Sequence, residues 1–315
     1  MIVSCGEALI DFVPATTNDG RAAYVPCVGG SPFNIAVAVA RLGVPAGFLG
    51  GVSTDFFGDD LARALAASGV DTRYVLRLER PSTLAFVSLG AGEPEYIFFD
   101  AEAAHRYWEP AQPLGPDVTM LHFGSISLLG APAADRFARL MEENKGHRIV
   151  CLDPNIRPSV ITDEAKYRER LRAMLALADV IKISAADLDW LVPGVDHSDV
   201  ARAWIARGTS LVVVTLGPGG ALAHGARGQV RSPGTSVAVV DTVGAGDSFM
   251  GALLAGLAKL DVTSVAQLRA LGTGEVETAV AYATRASAIT CSRRGADPPW
   301  SRELAFSRDR EQRVG

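Results

Sequence analysis

The 315 residues are enough for about two domains, or for one large α/β domain carrying an insertion. With 48% apolar and 21% charged residues, the chain has the make-up of a folded globular protein, which excludes a disordered one. A formal net charge of −5, from 30 basic against 35 acidic side chains, argues against nucleic acid as a partner. Cys5, Cys27, Cys151 and Cys291 lie far apart without a C-x-x-C and read as buried small hydrophobes, neither zinc ligands nor disulfides. Glu7 and Asp11 interrupt the first apolar run, which has no basic flank, so no signal peptide is expected. No apolar stretch approaches the roughly 18 residues of a membrane span, and the expected setting is the cytoplasm, with no membrane partner.

In chain order, residues 2–12 read as one apolar strand, followed by a polar loop. Gly29-Gly30-Ser31-Pro32 then opens a helix to Leu42, with Ser31 suited to the N-cap, Pro32 to the first helical position and Gly43 to the C′ position. A strand at 46–49 and a helix at 57–67 continue the alternation. Runs 83–89 and 95–99, joined by Gly90-Ala91-Gly92-Glu93-Pro94, read as a hairpin. From residue 118 strands are expected at 119–123, 148–152, 180–184 and 211–216, and helices at 133–145, 163–177 and 200–207. A β-rich stretch at 221–240 leads into helices at 247–260 and 276–289. This βα alternation predicts a mostly parallel sheet with helices on both faces. The hairpin region is an insertion at the sheet edge forming a second small domain, and the tail from Ser301 is expected to fray. The main domain is assigned to 1–12, 29–72 and 101–300, the β lid to 13–28 and 73–100.

The chemistry concentrates in Asp241-Thr242-Val243-Gly244-Ala245-Gly246-Asp247, which follows the strand-like run 236–240 and opens a helix with Phe249, Leu253, Leu257 and Leu260 at helical spacing. Small residues at 244–246 let bare N–H groups face a ligand at the positive helix end, which makes an anion hole suited to phosphate. A first-turn carboxylate such as Asp247 either complements the helix dipole or serves as a general base; the Gly-Ala-Gly-Asp run favours the base. No G-x-x-x-x-G-K-[ST], complete G-x-G-x-x-G, H-E-x-x-H or G-x-S-x-G is present, which argues against P-loop, nicotinamide-dependent, zincin and serine-hydrolase readings. His122, beside a strand, reads as an ordinary hydrogen-bonded residue.

Gly29-Gly30-Ser31-Pro32-Phe33-Asn34-Ile35-Ala36 and Asp241–Asp247 resemble the two signatures of the PfkB, or ribokinase-like, carbohydrate kinases, in the expected order and over 200 residues apart. The similarity spans residues 1 to 300. Gly6-Glu7-Ala8-Leu9-Ile10-Asp11-Phe12 and His122-Phe123-Gly124-Ser125 are most similar to fructokinases. The resemblance implies a ribokinase-like α/β fold with a mostly parallel central sheet flanked by helices and a small β-sheet lid. It makes Asp247 the base, with Gly244, Ala245 and Gly246 as anion hole, and gives Asp11, Gly30, Asn34, Phe98 and Arg157 to the sugar. An acceptor carboxylate, a close-approach glycine and a two-sided amide do suit a polyol. Lys182, Thr215, Gly217, Gly219, Gly220, Ala283 and Ser287 fall to ATP, and Asp241 with the Val243 carbonyl to a K⁺ ion. For each there is a plainer role: solvent-facing first-turn residue for Asn34, core for Phe98, surface ion pair for Arg157, a simple turn for 215–220, helix packing for Ala283 and Ser287, a turn cap for Asp241.

Two positions depart from the family pattern. Its N-x-x-E motif stands here as Ser184-Ala185-Ala186-Asp187, whose oxygens can still serve a hydrated Mg²⁺. Where fructokinases carry an arginine after the lid aromatic pair and an aspartate five positions on, this chain has Asp100 and His105. The expected activity is phosphorylation of fructose by ATP, with 2-keto-3-deoxygluconate kinase as runner-up and a non-catalytic sugar or nucleotide sensor as the alternative of another class. Both faces of the hairpin are apolar, Leu84 and Phe86 against Ala85, Val87 and Leu89, and Tyr96 and Phe98 against Ile97 and Phe99. That predicts a homodimer in which two lids pack together, with Val87 and Phe99 at the contact.

Overall fold

The computed structural model describes residues 1–88, 95–110 and 112–307. Strand β1 (Ile2–Cys5) is buried throughout. It ends at Gly6, whose φ of +152° no side chain adopts easily and whose added Cβ would lie 2.5 Å from the Pro32 ring. The run expected as a single strand over 2–12 is therefore two, because Gly6 turns the chain out of one sheet and into another. Strands β2 (Leu9–Thr16) and β3 (Ala22–Gly29) form a hairpin where a polar loop was expected.

Helix α1 (Ser31–Arg41), β4 (Ala46–Ser53), α2 (Phe56–Ala67) and β5 (Val75–Leu78) follow, then β6 (Thr83–Ser88) and β7 (Glu95–Phe99). The expected turn at 90–94, and Leu89, lie outside the described residues. Next come β8 (Met120–Gly124), α3 (Ala133–Asn144), β9 (Ile149–Asp153), α4 (Glu164–Leu177), β10 (Val180–Ser184), α5 (Ala185–Leu191) and α6 (His197–Ala206). The chain closes with β11 (Leu211–Thr215), β12 (Ala221–Gly225), β13 (Gly228–Ser232), α7 (Ala245–Lys259), α8 (Val265–Ala270) and α9 (Thr273–Cys291).

The main sheet has nine strands in the order β13-β12-β11-β10-β9-β8-β1-β4-β5, parallel except where β12 and β13 add antiparallel. Alternate residues of its central strands feed two cores. On β11, Leu211 and Val213 face α1, α7 and α9, whereas Val212 and Val214 face α3, α4 and α6. A separate four-stranded sheet, β3-β2-β6-β7, is the lid. It is fused to the main unit through Ile10, Phe12 and Leu84, which pack on Phe33, Phe48 and Leu61.

Several expectations are corrected. Residues 236–240 form no strand, and Val239 and Val240 are exposed there. The tail does not fray from Ser301: Leu304 is buried, and Phe306 packs edge-on against Tyr282 at 5.0 Å. Cys5 and Cys151 are buried as expected, but Cys27 is exposed on lid strand β3 and Cys291 is half-buried. Cross-strand partners share a face, so pairing of Val87 with Tyr96 and of Leu84 with Phe99 puts Val87 and Phe99 on opposite faces. Val87 is buried and Phe99 exposed.

The packing of α1 on α7 sets the geometry of everything below. A Cβ on Gly251 would come within 2.6 Å of the Ala38 Cβ and 3.2 Å of the Ile35 carbonyl oxygen, so the helices meet at a separation only glycine permits. Gly251→Ala is expected to lower stability by about 1–3 kcal/mol, the usual range for overpacking, read from the denaturant midpoint.

Candidate active site

Two helices begin at one point. Helix α1 is capped by Gly30 at φ +104°, where a Cβ would press on the Glu7 carbonyl oxygen at 2.9 Å. The cap is thus one residue earlier than expected, and Ser31 is the first helical residue, its hydroxyl free of capping duty. Helix α7 starts on Gly244 in the left-handed region at φ +73°, where a side chain would run into Ala296. Neither helix has a side-chain cap, so first-turn N–H groups stay available to a ligand. Asp247, in the first turn of α7, is buried between them. Its Oδ1 accepts from the Ser31 hydroxyl at 2.6 Å, and its Oδ2 accepts from the Asn34 amide at 2.8 Å. The two sequence signatures therefore meet through this carboxylate, and Asn34 faces it instead of solvent.

Around the start of α7, Ala245 N–H turns back to the Thr242 carbonyl at 3.2 Å, and the first helical bond is Ser248 N–H to the Gly244 carbonyl at 2.8 Å. Lys182 approaches from the middle of β10: its Nζ would lie 3.2 Å from a Cβ on Gly246. The same ammonium donates to Asp153 Oδ2 at 2.8 Å, and both side chains are buried. Asp153 Oδ1 is buried without a partner. Burial raises the Asp153 carboxyl to about 6 against the pull of Lys182. Beneath lies His122, hydrogen-bonded to Ser4 at 2.9 Å and held neutral, near 3, by burial and the Lys182 charge.

Asp11 stands on β2 across from Cys27 and Ala85. Burial, then the nearby Asp247 charge, lift its carboxyl to about 7, while Arg157 pulls the other way. Arg157 donates to the Ile156 carbonyl at 3.2 Å and lies over the Tyr96 ring at 5.9 Å. It is thus turned toward the lid and Asp11, with no ion pair among the described residues. Phe98 stacks with Tyr96 at 5.9 Å and forms one wall of a cavity of about 390 Å³, together with Ile126, Val160, Tyr167 and Arg106. That cavity touches none of the other predicted site residues. The two departing positions meet at the lid base: Asp100 lies 3.9 Å from His105 Nε2, and burial holds that imidazole neutral, near 3, with Nδ1 on the Thr83 hydroxyl at 2.6 Å.

On the other flank, Ser184 caps α5, accepting from the Asp187 N–H at 3.0 Å, and burial raises the Asp187 carboxyl. Thr215 ends β11, and Gly217 and Gly219 bracket an exposed turn. Gly220, at φ +86°, has no room for a side chain against the Ser232 carbonyl. Ala283 is fully buried between helices, whereas Ser287, one turn on, is half-buried. Asp241 accepts from the N–H groups of Val243 at 3.0 Å and Gly295 at 2.8 Å, tying residue 295 to the turn that leads into α7. Among the described residues no cluster of three or more acidic, His or Cys side chains forms a ready-made metal cage.

Sequence reasoning missed Ser31, Asp153 and Glu7. The i, i+3 spacing of Ser31 and Asn34 was the available signal for the first, since both lie on one helix face. Asp153 opens the Asp-Pro-Asn-Ile-Arg segment from which only Arg157 was taken. Glu7 is fully buried and accepts from Ser127.

The raised Asp11 carboxyl carries a pH signature. Folded Asp11 holds its proton to higher pH than the unfolded chain does, so ionising it costs stability as pH climbs from about 4 to about 7. Asp11→Asn removes that cost. The variant is expected to melt a few degrees above the parent at pH 8 and level with it near pH 4, as read by thermal unfolding at the two pH values.

The model of the pfkB family carbohydrate kinases matches residues 1–303. A fructokinase of Rhizobium leguminosarum bv. trifolii is 42% identical over 263 residues, 83% of this chain and 80% of its own length. The ATP-bound fructokinase structure from Xylella fastidiosa superposes with a TM-score of 0.84 at 30% identity, covering 94% of this chain and 93% of that one. The Vibrio cholerae O395 fructokinase structure with fructose, ADP and calcium gives a TM-score of 0.80 at 29% identity, covering 94% of each chain. With two signatures that converge on one buried carboxylate, this chain belongs to the pfkB family of carbohydrate kinases, phosphotransferases that act on a sugar hydroxyl.

Proposed function

We propose that this chain transfers the γ-phosphoryl group of ATP to the 6-hydroxyl of D-fructose, giving fructose 6-phosphate and ADP. The observation that carries the reading is the placement of Asp247: a carboxylate held by two donors at the start of a helix whose amides form an anion hole. Asp247 takes the hydroxyl proton as that oxygen forms its bond to the γ-phosphorus, and the bond to the β-phosphate oxygen breaks with its electron pair leaving on ADP. The amides around Gly244, Ala245 and Gly246, with the Lys182 ammonium beside them, stabilise charge on the transferring group. Asp153 keeps that ammonium in place. Asp11, Gly30 and Asn34 orient the sugar, with Arg157 and the lid aromatics closing over it.

The free Oδ1 of Asp153, the Asp187 carboxyl and the Ser184 hydroxyl are hard oxygens of the kind a hydrated Mg²⁺ takes. Magnesium, when bound, neutralises charge on the β- and γ-phosphates. In the same proposal the Asp241 turn and the Val243 carbonyl hold K⁺, residues 215–220 with Ser287 take the nucleotide, and the setting is the cytoplasm.

Asp247→Asn keeps shape and removes the base, so kcat should fall by about 10²–10⁴-fold while sugar and ATP binding persist by calorimetry. ADP release over a panel of sugars tests the substrate. Preference for 2-keto-3-deoxygluconate would reassign it, and no ADP release with any of the sugars would favour the sensor.

We further propose a homodimer through the lid. Tyr24, Phe86, Ile97 and Phe99 form an aromatic and aliphatic patch on the outer lid face, and Tyr24, Ile97 and Phe99 are 50%, 63% and 60% exposed. Ile97→Asp with Phe99→Asp should convert dimers to monomers in sedimentation at micromolar concentration and weaken sugar affinity. A monomeric parent would overturn the dimer.

A further inference from the structure

Ser31 has a place in the site that the helix start alone does not account for. Gly30, not Ser31, caps α1, and Ser31 begins the stripe Ser31, Asn34, Ile35, Ala38 that faces α7. Close approach at Gly251 presses this stripe against α7. The Ser31 hydroxyl is spent on one acceptor, Asp247 Oδ1, at 2.6 Å, while Asn34 takes Oδ2.

One donor on a carboxylate leaves it free to swing about its Cβ–Cγ bond. Two donors from one rigid helix turn, one on each oxygen, fix its plane. A fixed plane points one remaining lone pair at the place where the sugar hydroxyl must arrive, and each oxygen keeps a lone pair for that purpose. Asn34 has a second duty toward the sugar, so its hold on Asp247 is shared when substrate is bound. The Ser31 hydroxyl has no other hydrogen-bond partner among the described residues.

We propose that Ser31 is a positioning residue for the transfer step, holding the Asp247 carboxylate in its reactive orientation while Asn34 engages the sugar. The proposal rests on Asp247 acting as the base. It predicts an effect on turnover separate from binding, because Ser31 acts through Asp247 on the reacting hydroxyl and not on the ground-state sugar or nucleotide.

Ser31→Ala is expected to lower kcat about 10- to 100-fold, the range for loss of a charge-assisted hydrogen bond, with KM for sugar and for ATP within about threefold of the parent. Ser31→Thr, which keeps the hydroxyl, should restore most of the rate. Ser31→Cys, with a similar volume and a weak donor, should fall between. A merely structural role for Ser31 would instead lower the melting temperature or raise both KM values, with threonine no better than alanine. Wild-type kcat in Ser31→Ala, or equal loss in the alanine and threonine variants, overturns the proposal. Asp247→Asn measured in parallel separates the two failures. If it is inactive while Ser31→Ala is unimpaired, only the Ser31 role falls; if it stays active, the base and the Ser31 role fall together.

Discussion

The convergence of two helix N-termini on a single carboxylate is the constraint from which the site follows. Each helix start carries roughly half a positive charge, so bringing α1 and α7 together at their N-terminal ends is unfavourable unless something negative lies between them. Asp247 lies there, and it accepts from α1 side chains while belonging to α7. Both helices open on a glycine in a positive-φ conformation, Gly30 and Gly244, and neither start is closed by a side chain. The fold thereby stabilises the junction with the same carboxylate that is proposed as the base.

The lid contributes the other half by burying Asp11. A carboxylate on a sheet face near Asp247 and the buried Glu7 is costly to ionise: burial first, and those charges after it, raise it to about 7. A polyol would offer donors that favour its ionised form. Arg157 provides the compensating charge from β9's trailing segment and reaches the lid through the Tyr96 ring. Lid and main sheet are therefore coupled electrostatically as well as by the packing of Ile10 and Leu84 on α1 and α2.

What was legible in the sequence was whatever local chemistry dictates. Strand β10 and the βα alternation could be read from apolar runs bounded by turn residues, and the start of α7 from small residues ahead of an aspartate. The break at Gly6 was not legible, because a continuous apolar run from Ile2 to Phe12 looks the same whether one sheet or two receive it, and only the packing of Gly6 against Pro32 decides. The faces of the lid hairpin also escaped, since alternation gives two faces per strand but only the pairing of Leu84 with Phe99 says which faces coincide. Ser31 was assigned to the cap on propensity. Tertiary contact with Glu7 moved the cap to Gly30 and released the hydroxyl for Asp247.

The charge inventory of the site bears on what must enter with the nucleotide. Glu7, Asp11, Asp153, Asp187 and Asp247 act on one another, opposed by Lys182 and Arg157. Five acids against two bases repel a polyphosphate. Burial eases this by keeping protons on Asp11 and Asp153 up to about 7 and about 6. A divalent cation arriving with the nucleotide favours the ionised acids, so binding and proton release become linked. The Oδ1 of Asp153 is the group where that exchange would gain most: it is buried, accepts no hydrogen bond among the described residues, and shares its carboxyl with Lys182 beside Gly246. One side chain at the end of β9 thus pairs with Lys182 through one oxygen and keeps the other unpartnered among the described residues, so in the proposed reading the ammonium and the cation would both depend on Asp153.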